Sequence, residues 1–96
     1  MSTSTINITG ALAEYYGRVG YREAAILREL REETQKRTGS NSGMQIAPEQ
    51  GAFMGLIAQL SGARSILEIG TFTGYSSLAM ALAAPQAHIT CVDVSE

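Results

Sequence analysis

Apolar residues recur at helical spacing in the first third of the chain. Leu12, Tyr16, Val19, Ile26 and Leu30 stand three, four or seven positions apart. Gly17 and Gly20 interrupt this run, and an interior glycine disfavours helix by about 0.5–1 kcal/mol. The pattern predicts a flexible start over 1–9, then helices over 10–18 and 21–38 with a bend between them. Thr38 to Gly43 is dense in turn residues. Pro48 opens a third helix over 48–61, at the first-turn position that suits proline, with an apolar stripe of Phe53, Met54, Ile57 and Leu60. Ser61-Gly62 closes it.

The period then changes. Residues 65–69 form a short, nearly continuous apolar run, the pattern of a strand covered on both faces. A glycine loop over 70–74 leads into a helix over 75–84, rich in Ala, Leu and Met and stopped by Pro85. Residues 88–93 read as a second strand, with Cys91 on the face of Ile89 and expected to be a buried, inert thiol. Strand, glycine turn, helix and strand make a β-α-β unit with parallel pairing and a right-handed crossover. The expected fold class is α/β: N-terminal helices, then the first β-α-β unit of a Rossmann-like sheet that is incomplete.

Charge sharpens this division. Of the sixteen charged residues, eleven lie between Glu14 and Arg37, so the early helices are solvated and the later segment is the buried part. Glu32 and Lys36 are spaced to pair along one helix face. A net charge of −2 argues against a nucleic-acid surface. No apolar run approaches the roughly 18 residues of a membrane span, and in MSTSTINIT, without a basic start or a long apolar run, a secretory signal is not visible. A single cysteine allows no intrachain disulfide, does not support a zinc cluster and fits a reducing, cytoplasmic setting. At 96 residues the chain has little room for an α/β enzyme.

The chemistry concentrates between Leu67 and Ser76 and at Val92-Asp93. Gly70, leaving a parallel strand, lets backbone approach a ligand, and Gly74 does so at the mouth of the helix. The helix start offers unpaired N–H groups to a carboxylate or phosphate, and Ser76 adds a hydroxyl there. Asp93, ending the next strand, is placed to accept from both hydroxyls of a ribose. A nucleoside-containing ligand follows. Phe72 and Tyr75 depart from G-x-G-x-x-G, which counts against NAD or FAD, and no G-K-[ST] follows for a P-loop. Glu68 would repel a pyrophosphate and suit an ammonium group. S-adenosylmethionine carries that ammonium, a carboxylate and a ribose, and no phosphate. Structural roles stand beside these: Glu68 as a buried carboxylate accepting loop N–H groups, Asp93 as a strand-end turn residue, Met44 and Ile46 as loop anchors, Phe72 and Tyr75 as packing groups.

Four segments carry a family resemblance: Leu30-Arg-Glu-Glu-Thr34, Met44-Gln-Ile-Ala-Pro-Glu-Gln-Gly51, Leu67 to Ser76, and Cys91-Val-Asp-Val94. From about Tyr15 onward the chain resembles the class I S-adenosylmethionine-dependent O-methyltransferases of the caffeoyl-CoA and catechol type, in their bacterial form. The resemblance implies that Met44 and Ile46 lie in a loop folded over the cofactor. It implies that Glu68, Gly70, Thr71 and Phe72 line the methionine end, that Gly74 and Ser76 meet the carboxylate, and that Asp93 holds the ribose. It also implies a divalent metal such as magnesium, held by acidic and Asn side chains from later strands and binding the hydroxyls of a small catechol-like or acyl-CoA phenolic acceptor. No metal ligand or catalytic residue of that kind matches here. Residues 10–96 are then expected to be the N-terminal portion of one methyltransferase domain, truncated after its cofactor loop and inactive alone. Open strand edges and unpartnered apolar faces favour a homo-oligomer. The alternatives are a non-catalytic oligomerising or cofactor-binding module, or one half of a split enzyme.

Overall fold

The computed structural model describes residues 6–94. Of the start expected to be flexible, residues 1–5 lie outside the described residues, and 6–9 are exposed without helix or strand. Helix α1 (Gly10–Val19) is capped by Thr9, whose Oγ1 accepts the Leu12 N–H at 3.2 Å. It buries none of its residues. Helix α2 spans Ala25–Thr38, starting later than the expected Tyr21. Ala24 before it is extended, and Glu23 lies in the non-helical stretch. Its carboxylate takes both Nε and Nη2 of Arg31, at 3.0 and 2.8 Å, and the Tyr75 hydroxyl at 2.5 Å. The i,i+4 ion pair seen on α2 joins Glu33 to Arg37 at 2.6 Å, in place of the expected Glu32 and Lys36. The turn-rich stretch is a short 3-10 helix over Gly39–Met44. Helix α3 (Pro48–Ser61), strand β1 (Ser65–Ile69), helix α4 (Tyr75–Ala83) and strand β2 (His88–Val92) follow.

Helix α3 does not bury its large apolar stripe. Its buried face is Gly51, Gly55 and Ala58, while Phe53, Ile57 and Leu60 stay exposed. Small residues let two helices approach closely. A Cβ on Gly51 would lie 2.8 Å from the Tyr75 ring, and one on Gly55 3.0 Å from the Ala83 methyl. One core cluster joins Leu27, Tyr75 and Ala79, with Leu30, Ile46 and Leu78 packed against it. A second joins Ala58, Met80 and Ala84 beneath Met54, Ile66 and Ile89. Tyr75 is thus a packing residue, as its side chain type suggests.

The two strands pair in parallel through the α4 crossover, Ser65 opposite His88 and Ile69 opposite Val92. Ile66, Glu68, Ile89 and Cys91 point to the helix side. Leu67 and Ile69 point away and are 63% and 78% exposed. The expectation of a strand covered on both faces is therefore corrected: among the described residues the helices form one layer only. Cys91 is also exposed, not buried, because the helix layer that packs on Ile66 and Ile89 does not extend over it. Among the described residues no helix is long and apolar enough to cross a membrane.

The Glu23 cluster makes the fold acid-sensitive. Glu23 is held below its ordinary value of 4.5, first by the hydrogen bonds from Arg31, against partial burial, and with help from the Tyr75 hydroxyl. A carboxyl depressed in the folded state binds fewer protons there than when unfolded. Its contribution is complete above 4.5 and is lost as pH falls through the lower folded value. Thermal melts taken from neutral pH downward should show this loss, and Glu23→Gln should remove that part of the slope. An unchanged slope would show that the cluster does not contribute.

Candidate functional site

The C-terminal end of β1 runs into a loop that the end of β2 holds in place. The N–H groups of Gly70 and Thr71 both donate to the Val92 carbonyl, at 2.8 and 3.3 Å, and Thr71 Oγ1 donates to it at 3.3 Å. The Gly74 N–H donates to the Thr71 carbonyl at 3.0 Å and closes the turn. Gly70 and Gly74 have φ of +86° and +94°, in the region that glycine adopts without strain. Phe72 has φ +53° with a side chain in place, at a cost of about 1–3 kcal/mol. Asp93 offsets that cost. Its Oδ2 accepts the Phe72 N–H at 2.7 Å and its Oδ1 accepts the Val94 N–H at 2.7 Å. The residue expected to hold a ribose therefore clamps the glycine loop, which accords with its alternative role at the strand end. A cavity of about 240 Å³ opens here, lined by Ile69, Gly70, Val92, Asp93 and Val94.

Gly74 is the N-cap of α4 and brings no side-chain cap. The first-turn N–H groups of α4 are thus left for other acceptors, with the partial positive charge of a helix start behind them. The Ser76 hydroxyl is not aimed outward from that turn. It donates to Glu68 Oε2. Glu68 is 9% exposed, and its Oε1 is buried without a hydrogen-bond partner among the described residues. The expected loop N–H donors do not reach this carboxylate. A buried, unsatisfied oxygen of a charged group costs about 1–3 kcal/mol or more, which a bound donor would recover.

Met44 and Ile46 diverge. Met44 is 69% exposed, while Ile46 packs on the Leu27–Tyr75–Ala79 cluster. Between them, Gln45 Nε2 donates to both Thr34 Oγ1 and Thr73 Oγ1 at 3.3 Å, and the Thr34 hydroxyl donates to Thr73 Oγ1 at 2.8 Å. Sequence reasoning missed this trio. The signal was present: Thr34 falls on the helix face of Leu27 and Leu30, so it is a buried hydroxyl within a charged run. His88 lies at the start of β2, the strand end away from the glycine loop. Among the described residues no cluster of three or more His, Cys, Asp or Glu side chains is placed to hold a metal ion. The residues at hand therefore do not offer the divalent-cation site that the resemblance implies.

A glycine loop between parallel strands, a helix N-terminus at its mouth, a carboxylate on the first strand and another just past the second define the β-α-β unit of a Rossmann-like fold. Comparison with known proteins narrows this. A family model described as O-methyltransferase matches residues 18–96, and the chain belongs to that family. It is 46% identical over 68 residues to a caffeoyl-CoA O-methyltransferase of Populus kitakamiensis, spanning 70% of this chain and 29% of that protein. Its fold is similar to the O-methyltransferase from Bacillus cereus solved in complex with SAH, with TM-score 0.77, 30% identity, and coverage of 90% of this chain and 39% of that one. It is also similar to the O-methyltransferase TomG from Streptomyces achromogenes in complex with SAM, with TM-score 0.73, 29% identity, and coverage of 84% and 36%. The chain thus spans about a third of the length of the relatives it matches.

Proposed function

We propose that residues 10–96 form the cofactor-side part of a single S-adenosylmethionine-dependent O-methyltransferase domain. In complete form that domain would methylate a hydroxyl of a small catechol-like or acyl-CoA phenolic acceptor. The carrying observation is the unpartnered Glu68 Oε1 behind an uncapped helix start. When bound, the cofactor supplies a methyl group on a sulfonium, an electrophile for an acceptor oxygen. Glu68 Oε1 accepts from its ammonium group, while the Ser76 hydroxyl holds the other carboxylate oxygen and so keeps Glu68 oriented. Backbone at Gly70, Thr71 and Phe72 lines the methionine end. The α4 N–H groups next to Gly74 receive the carboxylate. Asp93, at the end of the second strand, takes the ribose hydroxyls. Met44 closes over the cofactor, while Ile46 anchors its segment on the Leu27–Tyr75–Ala79 cluster. That neighbours of similar fold were solved with SAM or SAH supports the reading.

Calorimetric titration of the chain with S-adenosylhomocysteine tests it. Binding is expected, with Glu68→Gln weaker by about tenfold or more, the range for a hydrogen bond between charged groups. Equal affinities would remove Glu68 from the site, and absence of binding would overturn the reading.

The uncovered sheet face, with Leu67, Ile69 and Val92 exposed, supports a second reading as a self-associating module. Sedimentation equilibrium should then give a mass above the 10.2 kDa of one chain. A monomer at all concentrations would count against it.

A further inference from the structure

We infer, on the reading of this sheet end as the cofactor side, that Thr34, Gln45 and Thr73 act together as a clasp that makes two cofactor-facing segments order as one unit. The segments are the stretch from Gly39 to Ile46, which carries Met44, and the glycine loop from Gly70 to Gly74. They come from distant parts of the chain: Gln45 and Thr73 are 28 positions apart, and Thr34 and Thr73 are 39 apart. The bonds that link them are polar and converge on a point. Gln45 Nε2 is shared between the two threonine hydroxyls, which are themselves bonded at 2.8 Å.

Thr34 is the fixed member. It is 2% exposed, sits on the buried face of α2, and its carbonyl accepts the Thr38 hydroxyl at 2.6 Å. Thr73 is part of the loop that Val92 and Asp93 hold on the strand side, so the trio is what ties that loop to α2 and to the Gln45 segment. Gln45 is flanked by exposed Met44 and core-packed Ile46. Its amide therefore ties the segment that carries Met44 to the glycine loop. None of the three needs to touch a ligand, so they are positioning residues. The consequence is coupling: whatever orders the glycine loop also orders the Met44 segment, and the reverse.

Hydrogen–deuterium exchange of the chain, first without any ligand, tests this. In Gln45→Ala, which loses both bonds of the amide, amides of 39–46 and of 70–74 should both exchange faster, by about fivefold or more. Amides of α3 and of the two strands should stay as they were. Thr34→Val should loosen the same two segments, and Thr34→Ser, which keeps the hydroxyl, should restore them. Loosening confined to 39–46, no change in either segment, or an equal rise across all elements would each overturn the clasp. Because Gln45 is only half-buried on a short segment, its variant reads the clasp even if Thr34→Val fails to fold. Repeating the exchange with S-adenosylhomocysteine separates the two claims. Absence of any ligand effect speaks against the cofactor reading, whereas protection of 70–74 without 39–46 speaks against the clasp.

Discussion

Replacing Tyr75 with alanine should lower the unfolding free energy by about 3–5 kcal/mol, the range for losing a buried large aromatic. The ring is 2% exposed and fills the space that the glycine face of α3 leaves open, beside Leu27 and Ala79. Its hydroxyl donates to Glu23 at 2.5 Å, and burial followed by that bond raises the phenol's pKa, so it stays a donor throughout the working range. A domain of this length has a total stability of about 5–14 kcal/mol. The substitution therefore removes a large share of what holds α2, α3 and α4 together. Tyr75→Phe keeps the ring and loses the hydroxyl, and should cost about 1.5–3 kcal/mol, as for a hydrogen bond to a charged partner. Denaturant unfolding followed by circular dichroism gives both values. A loss for alanine no larger than for phenylalanine would mean that the ring does not carry the α3–α4 packing.

If Asp93 holds the ribose as proposed, Asp93→Ala should weaken cofactor binding by about 1.5–3 kcal/mol from that contact alone. The loss should be larger in practice, because the same carboxylate accepts the Phe72 N–H at 2.7 Å. Without it, a non-glycine residue at φ +53° has lost the contact that offsets its strain. Asp93→Asn separates the two effects. Its amide oxygen can still accept one backbone N–H but carries no charge for a pair of ribose hydroxyls. Calorimetry with S-adenosylhomocysteine should rank the chain above Asn and Asn above Ala. Equal affinity for all three would end the ribose assignment, and Asn matching the parent would reduce Asp93 to a loop clamp.

The strands and the glycine loop were legible because their signals are local. A five-residue apolar run, a glycine leaving it and an Ala-rich helix behind it each determine structure within a few residues. The face of α3 was not legible. Reading large apolar residues as the buried stripe overlooks glycine and alanine, which bury a helix by letting its neighbour approach. Coverage of β1 was not legible either, since an apolar strand looks the same with one helix layer or two. At the site, residue types pointed to Glu68, Gly70, Gly74, Ser76 and Asp93, but their internal pairings could not be read. Ser76 turns to Glu68 eight residues back, and Asp93 reaches Phe72 twenty-one residues back. Such bonds depend on the crossover bringing the two strand ends together. The Thr34 hydroxyl was hidden by its charged neighbours Glu32 and Glu33, although its spacing from Leu27 places it on the inner face.

The bond between Glu23 and Tyr75 joins residues 52 positions apart. During synthesis the chain emerges N-terminus first. Helix α2 thus leaves the ribosome well before its partner on α4 exists, and Arg31 is the neighbour from its own segment that can hold Glu23 meanwhile. Docking of α2 has to wait until the glycine loop and the helix behind it have been made. The amphipathic α2 spends that interval with its apolar face exposed.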